Sequence, residues 1–180
     1  RYLKVPEDMR ADLLRGATPY EHVSALFVSH VHGDHFSPAP VLAWLRARPD
    51  ARLFAPRQVV DALEKAAPAD AGDVLDRVVP FSLDPGDPPQ AMRADGLEIE
   101  VVALPHSGGE RMADIDNLVF RVTVAGAATV MHLGDAPADD AVFAAQVAEA
   151  RVPPFDDVPD FELAHAPQRL ERVEPNGGRG

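Results

Sequence analysis

The residues best placed to do chemistry are six consecutive ones, His30-Val31-His32-Gly33-Asp34-His35. They follow directly on the apolar run Val23–Ser29, which reads as a buried strand. Side chains alternate faces along an extended backbone, so His30 and His32 reach the same side. Gly33 permits a tight turn, after which Asp34 and His35 face a neighbouring point. One such loop can serve two adjacent metal ions. Neutral imidazoles with a carboxylate suit Zn²⁺ best, and Mn²⁺ and Fe are also compatible. The plain alternative is a solvated, His-rich loop, but a surface loop gains nothing from three histidines in register behind a buried strand.

The arrangement His30-x-His32-x-Asp34-His35 after an apolar strand resembles the signature of the metallo-β-lactamase superfamily. The resemblance implies an α/β fold, the αββα sandwich, with a two-metal site at one edge of its two sheets. It further implies a His after a later strand, an Asp after another, and a last His near the C-terminus. Leu104-Pro105-His106-Ser107-Gly108-Gly109 and Met131-His132-Leu133-Gly134-Asp135 match the first two. By this resemblance His30, His32 and His106 hold the first metal, Asp34 and His35 belong to the second, and Asp135 bridges both. His165 is the one histidine further along, and it reads either as the last ligand or as a surface residue. Without it the second metal is weakly held or absent.

The activity implied is that of a zinc-dependent, binuclear hydrolase. A metal-activated hydroxide attacks an ester, lactone or phosphoester, with Asp34 orienting it and handling its proton. The motifs look most like the broad group of bacterial metal-dependent hydrolases, which includes lactonases acting on sugar phosphates and phospholipase D-like enzymes. Two alternatives keep the fold: an iron-dependent oxidoreductase, and a metal-binding domain without activity. Ser107-Gly108-Gly109 offers backbone N–H groups to an oxyanion or is simply a flexible turn. His132, of opposite strand parity to Asp135, is expected to face away from the metals and pack within the sandwich. Asp114 and Asp116 read as solvated charges, and Trp44 as core.

The elements that must position these groups are legible in part. Helices are expected over 38–48, opened by Ser37-Pro38, and over 58–67. Strands are expected over 52–55, 97–104, 118–124 and 128–133, the last two as a hairpin through Ala125-Gly126-Ala127. Residues 1–20 show no period, 75–83 are ambiguous, and 84–89 can only turn. An amphipathic helix is expected over 139–150. We read 1–150 as the metallo-β-lactamase-like domain. Residues 151–180 read as a Pro/Asp-rich linker, a short strand over 161–164 and a polar tail. No opening β-hairpin is visible before Val23. With Arg1 in first place, the chain reads as truncated at the N-terminus and at the C-terminal strand.

Composition narrows the partners. The 180 residues carry 29 Asp+Glu against 17 Lys+Arg, a net charge of −12. A field of that sign disfavours nucleic acid, whose phosphates call for Lys and Arg. It suits a small-molecule substrate. There is no Cys, hence no disulfide and no thiolate metal site. No apolar run approaches the roughly 20 residues of a membrane span. A soluble protein is the expectation, with the cytoplasm slightly favoured, and the compartment and the oligomeric state are unread.

Overall fold

Strand and helix signals alternate in the first half of the chain and strands follow one another in the second, and the two halves fold accordingly. The structure is a computed structural model that describes residues 5–137. It opens with α1 (Glu7–Arg15). Then β1 (Ala25–Phe27), β2 (Arg52–Pro56) and β3 (Val78–Phe81) form a parallel sheet in that order. Parallel neighbours need crossover connections. The helix α2 (Pro38–Ala47) links β1 to β2, and α3 (Arg57–Ala66) with the short α4 (Gly72–Leu75) links β2 to β3. β4 (Gln90–Ala94), β5 (Leu97–Ala103), β6 (Leu118–Val124) and β7 (Thr129–His132) form an antiparallel sheet in chain order. The hairpin between β6 and β7 lies where expected.

One strand shows how the layers stack. Side chains alternate along β2, so Leu53 and Ala55 pack on one side against Val59 and Leu63 of α3 and Leu45 of α2. Phe54, on the other side, joins Val79 and Phe81 of β3 against Ile99, Val101, Leu118 and Phe120 of β5 and β6. Phe54 stacks on Phe27 with centroids 4.9 Å apart, and Phe27 meets Phe120 edge-on at 5.3 Å. A strand buried on both faces has no polar positions to alternate, which is why β2 is apolar apart from its first residue. The order is helices, parallel sheet, antiparallel sheet.

Several elements differ from expectation. α1 was not foreseen; none of its residues is fully buried, so no apolar stripe marks it, and Gly16 ends it in the left-handed conformation at φ 62°. β1 is three residues rather than seven, because pairing to β2 stops at Phe27. The ambiguous 75–83 stretch divides between the end of α4 and β3. β4 was missed because only Met92 and Ala94 turn inward, too few to stand out against Arg93 and Gln90. The expected elements over 139–150 and 161–164, the linker, the tail and His165 lie outside the described residues.

Candidate metal centre

The second sheet brings the site together by direction alone. β5 and β7 are both antiparallel to β6, so they run the same way. Their C-terminal ends therefore open on one edge, beside the first residue of β6. His106 lies three residues past β5 and Asp135 three residues past β7. The His30–His35 loop is tied to this edge from the first sheet: Val28 N–H donates to Phe54 O at 3.0 Å, and Leu118 N–H donates to Ser29 O at 2.9 Å. Within the loop, His35 and Phe36 N–H groups both donate to His32 O, at 3.0 and 2.8 Å, and Phe36 is buried as the anchor of the turn.

His30, His32, His106 and Asp135 converge. One side-chain donor atom from each lies within 4.8 Å of all the others, a group able to hold a metal ion. The three rings meet edge to face, with His30–His32, His30–His106 and His32–His106 centroids 4.9, 4.8 and 4.8 Å apart. Asp135 Oδ2 stands 3.5 Å from His106 Nε2 and 3.9 Å from His30 Nε2, and its Oδ1 stands 3.1 Å from His35 Nε2. Asp34 lies at the rim, with Oδ2 4.0 Å from His35 Nε2.

Tautomers follow from the outer hydrogen bonds. His106 Nδ1 faces the carbonyl of Ser107, which only accepts, so Nδ1–H donates and Nε2 carries the lone pair. His30 Nδ1 is 3.0 Å from Ser29 Oγ, a hydroxyl able to accept from it, and in the tautomer with Nδ1–H donating Nε2 carries the lone pair as well. Both Nε2 atoms are buried and lack any hydrogen-bond partner. An unpaired polar atom in the interior is costly. Two such lone pairs aimed at one point beside a carboxylate fit a metal ion. Burial lowers the His30 pKa from 6.5 to about 4, with His35 adding and Asp135 opposing, so the ring is neutral as a ligand must be.

Some expectations require correction. Gly33 is not in a left-handed conformation, and a Cβ there would meet nothing within 4 Å. The turn does not need a glycine. His132 does not pack inside the sandwich. It pairs with the buried Phe120 and so shares the inward face, but among the described residues β7 is the last strand of its sheet and all four of its residues are exposed. Desolvation nevertheless lowers its pKa, with His35 adding and Asp135 opposing, so it stands near the site rather than away from it. Asp116 is half-buried rather than solvated: Gln58 at the start of α3 accepts from its N–H at 3.4 Å, and burial raises its pKa. Asp114 is exposed, and Trp44 is core, as expected.

Two residues were not foreseen. Ser29 orients His30. Asn117, buried just before β6, donates from Nδ2 to Leu104 O and Leu133 O, both at 3.4 Å, and accepts from Asp135 N–H at 3.0 Å. An amide side chain directly ahead of a buried strand was the available signal.

Residues 7–157 match a family model described as a beta-lactamase superfamily domain. No curated protein and no solved structure matches the chain.

Proposed function

Because the chain belongs to the beta-lactamase superfamily, we propose that it is a metal-dependent hydrolase acting on an ester, lactone or phosphoester of a small molecule. The observation that carries this reading is the pair of buried, unpartnered Nε2 atoms of His30 and His106, converging with His32 and Asp135. These four residues would hold one ion. Asp135, His35 and Asp34 would contribute to a second, with His165 as its last ligand. Ions held there, zinc by the character of the donor set, would supply Lewis acidity toward the scissile group and a nucleophile near neutral pH.

The protein's own groups do the rest. Ser29 and the Ser107 carbonyl fix the His30 and His106 rings so that both lone pairs point inward. Asp34, at the open rim, orients the attacking water and accepts its proton at a carboxylate oxygen. The −12 charge supports a small-molecule substrate over nucleic acid, and among the described residues no helix is long and apolar enough to cross a membrane.

Metal analysis of the purified protein, joined to hydrolysis assays on ester, lactone and phosphodiester panels, tests the reading. About two equivalents of zinc are expected, with activity lost on chelation and in the His32→Ala and Asp34→Ala variants. Hydrolysis that survives both substitutions would overturn it. A second reading, a domain that binds one ion without turnover, draws support from the four residues converging as one group to which neither Asp34 nor His35 belongs. One tight equivalent and no hydrolysis would favour it.

A further inference from the structure

We infer that Asn117 is a positioning residue of the metal centre, the side chain that sets Asp135 against the histidines. The inference rests on the metal-binding part of the reading above and not on the hydrolytic part. Asp135 is the shared carboxylate of the cluster, yet its own oxygens face only histidine nitrogens, at 3.1 to 3.9 Å. Among the described residues only these histidines meet that side chain, so its backbone has a large part in setting its place. That backbone is gripped at both ends. Its N–H donates to Asn117 Oδ1 at 3.0 Å, and its C=O accepts from Ser107 N–H at 2.7 Å.

The amide of Asn117 also reaches the two strand ends that carry the ligands. Its Nδ2 donates to Leu104 O, two residues before His106, and to Leu133 O, two residues before Asp135. Its main chain joins in, since Asn117 O accepts from Leu104 N–H at 3.1 Å. Two donors and one acceptor meet three backbone groups, a match that no other side chain of this size provides. The fit is close enough to dictate a neighbour. Gly134 has φ 56°, and a Cβ on it would fall 2.2 Å from Asn117 Oδ1 and 2.7 Å from Ser29 Cβ. The glycine before Asp135 is there to admit Asn117 and Ser29. Ser29 is the residue that orients His30, so one buried contact connects the settings of His30, His106 and Asp135.

The test is zinc titration by calorimetry and the visible spectrum of the Co²⁺-substituted protein, on wild type and Asn117→Ala. Loss of an outer partner to metal ligands costs roughly 10- to 100-fold in affinity, and a loss of at least tenfold is expected here. The Co²⁺ band should shift or weaken with it. A core variant, Ile99→Ala, chosen for a similar drop in melting temperature, should keep wild-type affinity and spectrum, which separates positioning from general stability. If Asn117→Ala does not fold, Asn117→Ser takes its place, and its hydroxyl is too short to span the three groups. Wild-type zinc affinity and an unchanged Co²⁺ spectrum in the folded variant overturn the inference. A wild-type protein that binds no zinc overturns it together with the metal-centre reading. Zinc binding without hydrolysis of any substrate overturns the hydrolase alone.

Discussion

His30 shows what burial does to one side chain. Its ring is fully enclosed, its pKa falls from 6.5 to about 4, and its Nε2 has no partner. The folded-state pKa lies below the unfolded value, so between pH 6.5 and about 4 the unfolded chain holds a proton that the folded chain refuses. The contribution to stability is therefore complete above pH 6.5 and is lost as the pH falls toward 4. For the metal-free protein the loss is of order 3 kcal/mol across that window. Urea unfolding at pH 7, 5.5 and 4.5 checks it, and His30→Asn should flatten this dependence. Stability that is level from pH 7 to 4.5 in the metal-free wild type would show that the ring is not held neutral.

At the scale of elements, side chains from distant segments hold the helix and strand ends in place. Arg77, just before β3, donates to Leu45 O, Arg48 O and Ala51 O at 2.7, 2.9 and 2.8 Å. These are the carbonyls at and beyond the C-terminal end of α2, where the helix leaves acceptors without internal partners. Arg48 in turn donates to Glu21 O and Val23 O, at 2.8 and 3.2 Å, and fixes the approach to β1. The three parallel strands are thus clamped where they begin. Arg77→Met keeps the apolar stem and removes the donors, and it should cost about 2–3 kcal/mol in urea unfolding. A loss under about 0.5 kcal/mol would place Arg77 among ordinary surface residues. On the opposite side Gln58 of α3 donates to Asp114 O at 2.6 Å, holding the long loop between β5 and β6 against the first sheet.

At the scale of the whole molecule, the four residues of the candidate metal group come from loops after β1, β5 and β7, so an ion bound there would join both sheets. An ion that binds the folded state alone stabilises it by mass action, about 2.7 kcal/mol at a free concentration a hundredfold above Kd. For a chain of this size that corresponds to roughly 5–10 °C in melting temperature. Scanning calorimetry with a chelator and then with increasing zinc should show a rise that tracks concentration. A melting temperature indifferent to zinc would mean that the four-residue group does not bind it. The loop His30–His35 was legible in the sequence because its histidines are neighbours and the strand before it is apolar. α2, α3, β2, β5 and β6 were legible because each presents an apolar face to the core, and β7 because it returns from β6 through the Ala125-Gly126-Ala127 turn. β4 and α1 were not, because β4 turns only two residues inward and α1 buries none fully.

The sequence by itself determined which donor types are available and where they cluster along the chain. Residue type and spacing place three imidazoles and a carboxylate on one turn, and the resemblance to the metallo-β-lactamase superfamily nominates His106 and Asp135. Only the tertiary structure decided that these groups meet. Their convergence depends on β5 and β7 running the same way around β6, and on Leu118 of β6 holding Ser29. Sequence spacing carries no record of which strand ends share an edge. The tertiary structure also decided where glycine matters. Gly33, inside the motif, stands in open space, whereas Gly134, outside it, is packed under Asn117 and Ser29. Close approach is a property of neighbours in space, and the residues that press on Gly134 come from elsewhere in the chain.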